Sequence, residues 1–139
     1  MAVVVSVDVQ GAGRLARDLR AGAEHVEPLM RMVVEKSAVD LQGLTQRNAS
    51  GRPGPNVITG DYRASWRVET LADGGGQVSR SVGTDRAQAR RLEYGFVGPD
   101  SLGRVYDQPP YPHHGPAVDA IEPVFRDAMG KIAEKAVNW

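Results

Sequence analysis

The stretch WRVETLADGGGQVSRSVG, residues 66–83, decides how this chain is read. Trp66, Val68 and Thr70 alternate with Arg67, Glu69 and Leu71, a period of two. ADGGG at 72–76 supplies turn chemistry, and QVSRSVG at 77–83 alternates again. Two alternating runs around a glycine-rich turn predict a β-hairpin. Both strands are rather polar, so one sheet face is expected to meet solvent or a neighbouring chain. A further strand is predicted at residues 2–9. There Val3, Val5, Val7 and Val9 fall on one face and Val4, Ser6 and Asp8 on the other. Gly11 and Gly13 end it.

Between these strands the period changes to that of a helix. Leu15 and Leu19 begin a stripe that continues through Val26, Met30, Val33, Leu41 and Leu44, with Ser37 and Ala38 at one turn. Gly22 marks a break, and Pro28 suits the first turn of a new segment. The expectation is a short helix, a kink, and a long helix over roughly 26–47, about 30 Å at 1.5 Å per residue. NASGRPGPNVITG at 48–60 reads as a loop, and 61–66 as a single turn. After the hairpin, Asp85 is an N-cap candidate with Gln88 three residues on, as in a capping box. Ala89, Leu92 and Phe96 share a face, and Gly95 suits the C′ position. Residues 97–116 read as a second long loop. Gly115 and Pro116 look like a helix start, and Val118, Ile121, Phe125, Met129 and Ile132 form its apolar stripe, interrupted at Pro123.

The resulting fold class is α+β in a single domain over 1–139. A small antiparallel sheet, the N-terminal strand plus the hairpin, packs against a long N-terminal helix and a C-terminal helix, with two long loops.

Composition narrows function. Lysine plus arginine number 17, as do aspartate plus glutamate, so the formal charge is zero. That balance argues against binding nucleic acid mainly through its phosphates. Most basic residues are arginine, which suits interface contacts, with a coding bias as the plain alternative. With no cysteine, disulfides, thiol catalysis and cysteine-based zinc sites are excluded. No apolar run approaches the ~20 residues that span a membrane. MAVVVSVDVQ lacks a basic n-region and a long apolar core, so cytoplasmic synthesis is expected.

Candidate chemistry is sparse. His113 and His114 are adjacent, a poor chelating geometry, and with Asp107 they sketch only a weak metal site. They read as exposed loop histidines. GAG at 11–13 follows a strand but completes neither G-x-G-x-x-G nor a Walker motif. No G-x-S-x-G elbow is present. Arg90, Arg91 and Glu93 sit on a short helix without the carboxylate cluster a metal nuclease uses. They read as a solvated or subunit-facing surface. Half of the eight aromatics, Tyr94, Phe96, Tyr106 and Tyr111, fall between residues 94 and 111. They serve either a protein interface or the docking of the loop onto the core.

The order of motifs adds a resemblance. Thr59-Gly60 precedes Tyr62-Arg63-Ala64-Ser65-Trp66, then come the hairpin, Val82-Gly83-Thr84, Ala89, Leu92-Glu93-Tyr94-Gly95, Pro110-Tyr111 and Pro116-Ala117-Val118-Asp119. This succession, across approximately residues 13–137, resembles the small neck or tail-completion proteins of long-tailed bacteriophages. It departs from them in Tyr62 and Trp66, which replace aliphatic residues, in Gln88, and in the longer loop at 97–109. The resemblance implies a virion protein at the head–tail junction, assembled in the host cytoplasm: a non-enzymatic ring subunit without cofactor, forming hexamers. Its implied partners are copies of itself, the portal or connector, and tail-tube or tail-terminator proteins, with DNA passing through the channel without sequence-specific binding. The residues expected to carry subunit contacts are Arg90, Arg91, Glu93, Tyr94, Tyr106 and Tyr111. Two other readings stand beside it: a metal-dependent nuclease using Asp107, His113 and His114, and a nucleic-acid-binding module using Arg86, Arg90 and Arg91.

Overall fold

Gly75 and Gly76, at φ of 63° and 82°, turn the chain between β2 (Arg67–Gly74) and β3 (Gln77–Thr84). Both angles lie in the left-handed region that glycine alone enters freely, which explains the GGG run. The computed structural model describes residues 3–8 and 20–137, and side chains over 26–136. β1 (Val3–Asp8) pairs antiparallel with the other edge of β3, giving the order β1-β3-β2. Val82 therefore lies between Val5 and Val68. As the central strand, β3 is buried from Val78 through Val82, whereas most of the edge strand β2 is exposed. The register slips between Thr70 and Ala72, and Leu71 is left 57% exposed at the irregularity. Trp66, assigned by alternation to the strand, instead lies just ahead of it and is buried.

Two helices cover the sheet. α1 runs unbroken over Arg20–Asn48, through both Gly22 and Pro28. The break expected near Gly22 does not occur, and Pro28 lies inside the helix rather than in the first turn of a new one. An interior proline costs about 3 kcal/mol. Here Val26, Met30 and Val34 pack on either side of Pro28 against Val78 of β3 and Ile132 and Ala136 of the C-terminal helix, and that burial holds the helix together. The part of the stripe at Leu15 and Leu19, with Gly11 and Gly13, lies outside the described residues. A second apolar cluster joins Ala38, Leu41, Trp66, Val82 and Ala117. The C-terminal helix, α4 of the chain, spans His114–Val137 and passes through Pro123 without ending. Again the residues around the proline, Ala117, Ile121 and Phe125, are anchored in the two clusters.

Arg80 is the one buried cation of the sheet among the described residues. Its guanidinium donates to the Ala72 and Ser79 carbonyls (3.1 and 3.2 Å) and to Glu35 of α1 at 2.8 Å, tying helix to sheet. Those partners satisfy most of the fork and make the burial tolerable.

The connections carry the larger surprises. α2 is the single turn Asp61–Ala64 expected from the sequence. α3 spans only Ala89–Tyr94. The capping box of Asp85 and Gln88 is not formed: Asp85 pairs with Arg67 across the surface at 3.3 Å, and Gln88 is the N-cap residue without a side-chain bond. Thr84 Oγ1 instead accepts the Arg86 N–H at 3.2 Å, and the residues ahead of α3 form turns. Gly95 does close the helix, at φ 81°, with its N–H on the Arg91 carbonyl at 2.8 Å. The segment read as a long loop holds a second hairpin, β4 (Phe96–Pro99) with β5 (Val105–Gln108), as a separate two-stranded sheet.

Candidate functional site: a buried carboxylate–histidine knot beneath an exposed hairpin

Helix α4 begins without a Ser, Thr, Asp or Asn at its N-cap, leaving backbone N–H groups in want of an acceptor. Glu93 supplies it from α3. Its Oε2 accepts the N–H groups of His113 and His114, each at 3.0 Å, and its Oε1 accepts that of Gly115 at 2.8 Å. The carboxylate is buried. Burial by itself would raise its pKa. The His113 side chain and the three backbone donors outweigh burial and hold it down at about 2. The positive end of the α4 dipole works in the same direction. Glu93 is thus an internal brace and not the subunit-facing residue expected from the sequence.

His113 and His114 are likewise not exposed loop histidines; both are buried. His113 Nδ1 lies 2.9 Å from Glu93 Oε2 and 2.8 Å from the Tyr111 carbonyl, both acceptors, so it carries the proton. Nε2 then accepts from the Tyr62 hydroxyl at 2.6 Å. His114 stacks on Trp66, with centroids 4.6 Å apart, and its Nδ1 meets Thr45 Oγ1 at 3.0 Å. Burial pushes the His114 imidazole down to about 4, against the pull of Glu93. Asn48 donates to the His113 carbonyl at 3.0 Å, closing the knot onto α1.

The Tyr62–His113–Glu93 line has the connectivity of a nucleophile, base and orienting acid. Its electrostatics run the other way: burial raises the phenol pKa of Tyr62, whereas an activated nucleophile needs its proton loosened. The chain of bonds ties α2 to α3 and to the start of α4. Asp107 sits apart from this knot, exposed on β5 opposite Val97. Among the described residues no three His, Asp or Glu side chains are grouped to hold a metal.

Above the knot projects the β4–β5 hairpin. Val97, Leu102 and Val105 are 77%, 75% and 81% exposed, and Tyr94 at its base is 68% exposed. Asp100 stiffens the tip: Oδ1 accepts the N–H groups of Leu102 and Arg104 (2.9 and 2.8 Å), and Oδ2 takes Arg104 Nε at 2.7 Å. The root is fastened by the Tyr111 N–H on the Leu92 carbonyl at 2.7 Å and by Gln108 on the Arg91 carbonyl at 3.2 Å.

The sequence-predicted contact residues therefore divide. Arg90, Arg91, Tyr94 and Tyr106 stay at the surface around the hairpin, with Arg91 lying over the Phe96 ring at 3.9 Å and Tyr106 beside it. Tyr111 is half-buried beneath Arg52, 3.9 Å from the guanidinium to the ring centroid. Arg86, proposed with Arg90 and Arg91 for nucleic acid, faces a different place, a cleft of about 760 Å³ shared with Arg52, Arg63, Ile58, Tyr62 and Tyr111. The roles of Tyr62, His113 and His114 in the knot escaped sequence reasoning. The available signal was the missing cap ahead of Gly115 and Pro116, which required an acceptor from elsewhere.

Compared with protein-family models, with curated proteins and with solved structures, the chain matches none.

Proposed function

We propose that the chain is a structural subunit of the head–tail junction of a long-tailed bacteriophage, completing the tail or connector as one member of a ring. The observation that carries this reading is the braced hairpin. A short sheet with two unpaired edges and an exposed apolar tip is held rigidly on a buried scaffold, which is the form of an assembly arm. Motifs of the resemblance meet in space in support of it: Glu93 of Leu92-Glu93-Tyr94-Gly95 caps α4 just ahead of Pro116-Ala117, and Tyr111 of Pro110-Tyr111 is tied to Leu92. In this reading the subunit works by complementary contacts with its own copies and with portal or connector and tail proteins. It uses no cofactor and performs no bond chemistry. The channel passes DNA without reading its sequence.

Deleting the gene from its phage tests the proposal. Filled heads and separate, unjoined tails are the expected products. Normal virions from the deletion strain refute it.

A further inference from the structure

We propose that the tip of the β4–β5 hairpin seats in the arginine-lined cleft of a second copy of this chain, giving a head-to-tail contact. The inference rests on the assembly reading and names its contact.

Both halves of the contact are present in one chain. The cleft, about 760 Å³, has the size that takes a few side chains rather than a whole element. Its walls bring Arg52, Arg63 and Arg86 together with one carboxylate, Asp61. Arg52 donates to the Gly54 carbonyl at 3.0 Å and Arg63 to Ser50 Oγ at 3.1 Å, both neutral acceptors. None of the three arginines enters an ion pair among the described residues. Among the described residues the cleft therefore carries three arginines to one carboxylate, a net positive lining, beside the 93% exposed side chain of Ile58.

The hairpin offers the complement. Residues 96–108 carry Asp100 and Asp107 against Arg104. Asp100 is consumed by the turn and by Arg104, so Asp107, on β5 two residues from exposed Val105, presents the outward carboxylate of the hairpin. Exposed Leu102 and Val105, on a turn already fixed by Asp100, lose little conformational freedom on docking. Opposite charges on the two surfaces set its register.

The hairpin cannot fill its own cleft. Gln108 and Tyr111, at its root, form part of that cleft's wall. Strand rise of ~3.4 Å per residue places Val105 roughly 10 Å from Gln108, with Leu102 beyond it. A surface and its complement at different places on one subunit make a heterologous contact, which closes into a ring when the rotation allows.

The chain contains no cysteine, so single introduced thiols report the contact directly. Full-length Leu102→Cys and Ile58→Cys chains are mixed and oxidised, with Val124→Cys, 65% exposed on α4, replacing Leu102→Cys in the control. The expected result is a disulfide dimer of Leu102→Cys with Ile58→Cys at least tenfold above the control. The double variant should give a ladder ending at the ring. Arg63→Glu with Arg86→Glu in the Ile58→Cys chain should cut the yield at least fivefold at an unchanged melting temperature. Adding Asp107→Arg to the other chain should recover part of it. Cross-linking no better than the control overturns the proposal, whether the chain is monomeric or forms rings by mass measurement. So does an Ile58→Cys cross-link, in infected cells, to a different virion protein alone. Rings without the cross-link leave the assembly reading standing, while a deletion phage that makes normal virions removes that reading whatever the cross-link shows.

Discussion

Replacing Glu93 by glutamine keeps the shape of the α4 cap and removes its charge. The carboxylate accepts three backbone N–H groups and lies 2.9 Å from the protonated His113 Nδ1. Its pKa falls from an ordinary 4.5 to about 2. At about 1.4 kcal/mol per pKa unit, the ionised form stabilises the fold by about 3 kcal/mol relative to the protonated one. Because the folded pKa is the lower, that contribution is complete above pH 4.5 and is lost as pH falls through about 2. His114 adds an earlier acid limb. Its folded pKa of about 4 lies below the ordinary 6.5, so burying it neutral is favourable above pH 6.5 and opposed increasingly down to about pH 4. Urea unfolding followed by the fluorescence of Trp66, which stacks on His114, measures both limbs between pH 2 and 8. The wild type should weaken in two overlapping steps. Glu93→Gln should lose about 3 kcal/mol at pH 7, and its gap from the wild type should narrow as pH falls from 4.5 to 2, where the wild-type carboxyl is itself protonated. The variant's His114 limb should reach to lower pH, since Glu93 is the group that favours His114 protonation. A variant within about 0.5 kcal/mol of wild type at pH 7, or a gap that does not narrow between pH 4.5 and 2, refutes this account of the knot.

Other perturbations test other links. Gly95→Ala should destabilise by about 2–3 kcal/mol in the same assay, because φ is +81° and a Cβ would lie 2.8 Å from the Gln108 carbonyl oxygen. Gly43→Ala, inside α1 with nothing within 4 Å of the new Cβ, should stabilise by about 0.5–1 kcal/mol. Arg80→Met should cost about 2 kcal/mol by stripping the Ala72 and Ser79 carbonyls of a donor, with the urea midpoint as the readout. Arg90→Glu with Arg91→Glu should keep the wild-type melting temperature within a few degrees while reducing ring formation by mass photometry; an unfolded chain or normal rings count against a surface role at α3.

Where one local rule governed a residue, its place could be read from the sequence. The GGG turn needed only positive φ, the stripes of α1 and α4 needed only a period, and Gly95 needed only a helix to end. Readings failed where a tertiary partner overrode the local rule. Gly22 and Pro28 looked like a break because packing between α1 and α4 cannot be seen in a window of residues. Asp85 and Gln88 formed a plausible cap in sequence, yet Asp85 is drawn to Arg67 across the sheet surface. The hairpin at 96–108 was hidden by short strands and by Pro99, Pro109 and Pro110, which read as loop. The histidines were misplaced for the most general reason. Their burial depends on Glu93, 20 residues away, and on Tyr62, 51 residues away, and no periodicity encodes such distances.

The position of Glu93 also explains why one short helix joins stability to assembly. Within α3 the side chain of Glu93 turns inward to cap α4, while Tyr94 is 68% exposed. Gly95 then redirects the chain into β4. It has room to do so only because it lacks a Cβ, the Gln108 carbonyl oxygen standing 2.8 Å from where one would be. The direction of the hairpin is thus set two residues after the carboxylate that caps α4. A six-residue helix has too little stability of its own to hold an arm in place, so the buried charge supplies the rigidity. It follows that loosening the knot should disorder the hairpin before the sheet unfolds. Hydrogen exchange in Glu93→Gln should therefore rise first at the amides of Val105–Gln108 and Tyr111, with β3 still protected. Loss of protection in β3 and the hairpin together would show that the arm has no separate dependence on its brace.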